Sequence, residues 1–233
     1  MGSRLLDQLK ASLNENIDNR TRESTEQGIA LLEAYLTYKK PNVFHVGDFV
    51  RFKPGMSNRS VPEEDSIGIV TEVLAEPFFD PLRKSAGNAS FHEPLNLHVG
   101  LLCNDSFREF YYDSSRMEPV PMSEMDDDLK ETAERLTELS TRLTEPRAEP
   151  MVAGDIVQWK EGLKNTKRPD YGQQCIVMET FPTISSDGRG SGSTGFRDPA
   201  DMRVGILDDD GDLMIYVFDS RRFVKVPDSQ WKC

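Results

Sequence analysis

The residues of this chain whose types could do chemistry are three histidines, three cysteines, a run of aspartates, a glycine-rich stretch and the Asp-Ser-x-Arg motifs at 113–116 and 219–222. Nucleophilic catalysis needs a serine or cysteine beside a base that is itself oriented, and the chain has no Gly-x-Ser-x-Gly elbow. His45, His92 and His98 lie in the first half without counterparts in the second; His92 and His98 flank Glu93-Pro94 and read as exposed loop residues. Cys103, Cys175 and Cys233 show no C-x-x-C spacing, which argues against a metal site or a disulfide framework. Cys103 and Cys175 fall in apolar runs and read as buried thiols. The stretch 188–195 is glycine-rich but lacks the lysine of a phosphate loop, so a flexible insertion is expected. Asp208, Asp209, Asp210 and Asp212 surround Gly211, yet Leu213 stands where an EF-hand loop needs its glycine, and a hairpin tip is the better account. No catalytic residue, metal or cofactor is expected.

The elements that carry these residues come in two diverged sets. Gly47-Asp48-Phe49-Val50-Arg51-Phe52-Lys53 aligns without gaps on Gly154-Asp155-Ile156-Val157-Gln158-Trp159-Lys160. The correspondence continues through Asn58 and Asn165, Pro62 and Pro169, Ile69-Val70 and Ile176-Val177, Phe91 and Phe196, and Val99-Gly100 and Val204-Gly205. It closes on Asp113-Ser114-x-Arg116 and Asp219-Ser220-x-Arg222. Shared signals in one order predict an internal duplication. Because both copies keep the closing motif, its role is expected to be structural, with Asp113 pairing Arg116 and Asp219 pairing Arg222 at three-residue spacing.

Each copy reads as five short strands. The segments 49–53 and 156–160 alternate apolar and polar residues, the pattern of a half-buried strand. Strands are expected again over 67–74, 99–103, 109–112 and 117–120, and over 174–181, 204–207, 213–218 and 223–226, with one helical turn before the last in each copy. This order resembles SH3-like small barrels of the SH3, Tudor and KOW kind. The resemblance rests on strand order and implies a binding module more often than an enzyme.

Outside the copies, Leu5, Leu6, Leu9, Leu13 and Ile17, then Ile29, Leu32, Tyr35 and Leu36, recur at helical spacing and predict one or two helices ending near Lys39, ahead of Pro41. Between the copies, Met125, Leu129, Thr132, Leu136, Leu139 and Leu143 form a short seam at steps of four and three. That helix is expected to lie on the N-terminal helices, the alternative being a homodimer through the 123–145 helix. The expected organisation is therefore mainly β with helical additions: an N-terminal helical segment (1–42), a first SH3-like barrel (43–121), a helical linker (122–150) and a second barrel (151–233).

Forty acidic against 28 basic side chains give a net charge of −12, which makes nucleic acid an unlikely partner. No run approaches the roughly 18 apolar residues of a membrane span, and the start lacks the pattern of a secretory signal, so a cytoplasmic protein is expected. Loops over 76–96 and 182–201 are too long for plain hairpin connections. They offer Phe78, Phe79, Arg83, Phe91, Arg189, Phe196 and Arg197 as partner-binding candidates in a non-enzymatic protein-interaction module or adaptor. The alternative is an acidic inhibitor that mimics nucleic acid, with Asp126, Asp127, Asp128, Asp208, Asp209, Asp210 and Asp212 as its surface.

Overall fold

The computed structural model describes residues 6–8, 10, 19–63, 66–83, 85–87, 90–147, 149–185, 191 and 196–227. The protein is mainly β, with 34% of residues in strands and 25% in helices. Helix α1 (Asn19–Lys39) leads into β1 (Phe49–Phe52), β2 (Gly68–Phe78), β3 (Leu95–Cys103), β4 (Ser106–Tyr112) and β5 (Met117–Pro119). Helix α2 (Asp127–Thr144) leads into β6 (Ile156–Trp159), β7 (Cys175–Ser185), β8 (Pro199–Leu207), β9 (Leu213–Phe218) and β10 (Phe223–Lys225). Each set forms one antiparallel sheet, ordered β4-β3-β2-β1-β5 and β9-β8-β7-β6-β10, so the two orders are the same. Neither sheet closes by backbone pairing: the last strand is three residues long and pairs only with the first, leaving β4 and β9 as edges.

Alternation along the strands puts one face of each sheet into its own core. In the first, Val50, Phe52, Val70, Leu97, Val99, Leu101, Tyr112 and Met117 cluster with Phe44. In the second, Val157, Trp159, Val177, Met202, Val204, Ile206, Phe218 and Phe223 cluster with Met151. The sequence correspondence pairs these residues one to one. Before β5 and β10 the chain makes a single 3-10 turn, Ser114–Arg116 or Ser220–Arg222, started by an aspartate whose carboxylate accepts a backbone N–H two residues on.

The helix ahead of each sheet is tied to it in the same way. Lys53, only 2% exposed, donates through Nζ to the carbonyls of Thr37 (3.0 Å) and Lys40 (2.8 Å) at the end of α1. Lys160 donates to the carbonyl of Arg142 (3.0 Å) near the end of α2. A cation there meets the negative end of the helix dipole as well as unpaired carbonyls.

Helix α2 starts where expected, with the Asp126 carboxylate accepting from Leu129 N at 2.9 Å. Its apolar stripe, however, lies neither on the N-terminal helix nor on a second chain. Ala133, Leu136, Leu139 and Leu143 pack on Ile67, Ile69 and Phe107, the outer face of the first sheet, together with Leu163 from the second half. Ala133, not Thr132, is the buried member of its turn, because a broad sheet accepts a wider stripe than a coiled-coil seam. The expected linker helix thus covers the outer face of the first sheet.

Candidate functional site

The two long loops meet each other. Phe78 and Phe196 lie with Leu95 and Tyr111 in one cluster, with the Phe78 and Phe196 ring centroids 5.7 Å apart. The Arg197 guanidinium sits 4.2 Å from the Phe78 centroid. Alongside, the Asp80 carboxylate accepts from Ser191 N at 2.7 Å, and Arg59 donates to the Ser191 carbonyl at 2.7 Å and pairs with Glu93 at 3.1 Å. Phe196 is 2% exposed, so it is not an anchor offered to a partner. Phe79 and Phe91 remain partly exposed beside His92, Arg83 pairs with Asp80 at 3.8 Å, and Arg189 lies outside the described residues.

Between the sheets lies a second constellation, built on the closing motif. Arg222 is 1% exposed and reaches out of its own sheet: it donates to the carbonyls of Phe107 (3.1 Å) and Leu163 (3.2 Å) and pairs with Glu109 of β4 at 2.8 Å. Its expected partner Asp219 is 3.8 Å away and is taken mainly by Arg221, at 2.8 Å. The counterpart Arg116 donates to the carbonyl of Met56 (3.1 Å) and pairs with Glu93 (3.3 Å). The expected pairing with Asp113 is replaced, because that carboxylate accepts from Ser115 N and from the Tyr38 hydroxyl.

His98 belongs to this junction, not to an exposed loop. It lies within β3, its ring stacks on Tyr111 with centroids 4.0 Å apart, and Nδ1 is 3.0 Å from Thr71 Oγ1 and 3.8 Å from a Glu109 oxygen. Burial lowers its pKa against the opposing pull of Glu109 and Glu72, which favours the neutral imidazole. Burial likewise pushes Tyr111 up to about 12 and Asp198 up to about 6, although Arg222 and a hydrogen bond from Asn165 draw Asp198 back. Thr71, Glu72, His98, Tyr111, Arg197 and Arg221 line a cleft of about 550 Å³ here. Thr71, His98 and Tyr111 pair within the first half, while Arg197 over Phe78 and Arg222 with Glu109 tie the two halves, and the chemistry of the cluster is that of a joint.

The acidic candidates serve local structure. Asp126 caps α2, Asp127 pairs with Lys130 at 3.1 Å, and Asp128 lies in the first turn. Asp208 accepts from Asp210 N and Asp212 N around the β8–β9 turn, and Asp209 pairs with Arg168 at 3.1 Å. Cys175 is a buried thiol, raised to about 12 by desolvation, and Cys103 is half-buried.

What stands uncovered is the outer face of the second sheet. Ile176, Met178, Leu207, Leu213, Ile215 and Val217 are each between 39% and 60% exposed. Leu213, Ile215 and Val217 alternate along β9, Ile215 is opposite Gly205, and Leu213 is opposite Leu207. A Cβ placed on Gly205 would meet Leu213 Cδ1 at 2.9 Å, Ile176 Cγ2 at 3.2 Å and Met178 Sδ at 3.2 Å, so these side chains close over the glycine as one patch. A contiguous apolar patch of this kind marks an interaction surface more often than a chance exposure. Residue type alone does not single these positions out, because none carries polar chemistry. One signal in the sequence does point to them: Leu213-Met214-Ile215-Tyr216-Val217-Phe218 is apolar at every position, the pattern of a strand covered on both faces.

No protein-family model, no curated protein and no solved structure matches the chain.

Proposed function

We propose that this chain is a non-enzymatic protein-interaction module built from two duplicated SH3-like barrels, and that it docks through the outer face of the second. The observation that carries this reading is the apolar patch of Ile176, Leu207, Leu213 and Ile215, left bare where the corresponding face of the first sheet, with Ile69, Leu102 and Phe107, is buried under α2. Duplication is supported by the shared strand order, the matching cores and the equivalent lysine contacts. The long loops, expected from the sequence to bind a partner, act in this reading as a clasp between the halves.

The test is affinity capture with the wild-type protein and with the double variant Leu213→Glu/Ile215→Glu, each at low and high salt. Both side chains are about half exposed, at 53% and 50%, so charges there leave the fold intact. Apolar docking predicts retention at high salt and loss in the variant. An association kept by the variant would remove the second sheet from the reading.

A further inference from the structure

We infer that the partner of this face is a second copy of the same chain, which lays its α1 on the second sheet and so builds a head-to-tail assembly. The inference rests on the interaction reading above and names the occupant of that surface.

The chain contains its own template for the contact. On the first sheet, the face carrying Ile69, Gly100, Leu102 and Phe107 is covered by the helix that precedes the following sheet. The matching face of the second sheet carries Ile176, Gly205, Leu207 and Leu213. The element that would cover it by the same rule is a helix preceding another such sheet, and the other helix of this kind among the described residues is α1.

Its residues fit that place. The two helices can be superposed on the carbonyls bound by the equivalent lysines, Thr37 for Lys53 and Arg142 for Lys160. The helix ends, Lys39 and Thr144, then coincide as well. In this superposition Ala133, Leu136, Leu139 and Leu143, the buried stripe of α2, fall on Gly28, Leu31, Ala34 and Tyr38 of α1. Leu136 is fully buried against the first sheet, whereas Leu31 is 72% exposed and its neighbour Tyr35 is 53% exposed. Tyr38 keeps its hydrogen bond to Asp113 on its own sheet, while Leu31 and Tyr35 on α1 and the apolar face of the second sheet stand exposed at the two ends of one packing relation that the chain already uses once.

The polar part of the contact is consistent with this. Inside the chain, Arg222 of the second half needs Glu109 on the first sheet. Its counterpart Arg116 already has Glu93, and the position equivalent to Glu109 is Ile215, so neither side of the intermolecular contact leaves a buried charge without its partner. Because the helix face and the sheet face are different surfaces, the contact is heterologous and propagates into a ring or a filament.

The experiment is sedimentation velocity across a concentration series up to the order of 100 μM, a range that detects micromolar association. It uses the wild type, Leu31→Glu, Leu213→Glu and an equimolar mixture of the two variants. Far-UV circular dichroism confirms that each variant keeps its fold. Wild type is expected to grow into oligomers with concentration, and each single variant to associate at least about 30-fold more weakly. The mixture is expected to form dimers and nothing larger, since each partner retains one intact face. A wild type that stays monomeric overturns self-assembly. If that monomer still captures another protein through the Leu213 face, the interaction reading survives without it; if it captures none, both fail. Dimers that lose association in Leu213→Glu but keep it in Leu31→Glu mean sheet-to-sheet pairing and overturn α1 as the occupant.

Discussion

Arg222 shows how one side chain can join two sheets. Its buried guanidinium donates to two carbonyls and to the Glu109 carboxylate, drawn from both halves of the chain, with the Asp219 carboxylate 3.8 Å away. Removing the cation leaves Glu109 and Asp219 inside with one partner fewer, and a buried charge stripped of its partner costs about 3–5 kcal/mol. Arg222→Leu is therefore expected to lower the urea midpoint by that equivalent. Arg116→Leu, whose side chain is 24% exposed, should lose about 1–2 kcal/mol. Equal losses would show that the inter-sheet pair has no special weight. Asp198 gives the pH counterpart. Its folded pKa of about 6 lies above that of an unfolded aspartate, so the folded state holds the proton more tightly. The resulting stabilisation is complete below about pH 4 and is lost as pH rises through 6. Asp198→Asn should match wild type near pH 3.5 and exceed it by about 1–2 kcal/mol near pH 7.5, the half-buried position reducing the full effect. Urea titrations at both pH values measure this, and a variant less stable at the higher pH would contradict it. His98, with its pKa lowered by burial, has the opposite sign: its contribution is lost as pH falls below about 6.5.

At the scale of elements, α2 carries the energetics that the sequence left ambiguous. Leu136 is fully buried on the first sheet, so Leu136→Ala should cost about 2–5 kcal/mol, whereas Thr132→Ala on the rim of the same helix should cost under about 1 kcal/mol. Comparable losses in thermal denaturation would mean that the stripe is centred on Thr132. The stripe itself was legible, since Met125, Leu129, Leu136, Leu139 and Leu143 keep helical spacing. Its cover was not, because spacing reports that a face is apolar and not what lies on it. The aromatics of the long loops failed for a related reason. Phe78 and Phe196 stand 118 positions apart, and no local pattern says that loops from the two copies meet. His98 could have been placed: Leu95, Leu97, Val99 and Leu101 alternate through it, which extends β3 and turns the imidazole to the opposite face. The strand order of both sheets was the most readable part, because turn residues and alternation repeat in each copy.

Across the whole molecule, side chains and loops of both halves meet between the two sheets, where the sequence read as two barrels on a helical connector. Leu163 from the second half sits in the cluster that α2 makes with the first sheet, Phe107 N donates to the Gly162 carbonyl at 2.7 Å, and Arg222 and the paired loops add polar and aromatic ties. Opening either half alone would expose this shared surface and strand its charges, so partial unfolding is disfavoured relative to complete unfolding. In a Trp231→Phe background, which leaves Trp159 as the single tryptophan of the chain, its fluorescence reports on the second core, where Trp159 stacks on Phe223 with centroids 4.1 Å apart, while far-UV circular dichroism reports on both halves. The two signals should follow one urea transition with a common midpoint. A sharper test comes from Leu136→Ala, whose cavity lies against the first sheet, outside the core that holds Trp159. If the halves unfold together, this variant shifts the tryptophan transition and the circular dichroism transition by the same amount. If they unfold separately, the dichroism curve splits into two steps and the tryptophan step stays at the wild-type midpoint, which would return the molecule to two domains on a tether.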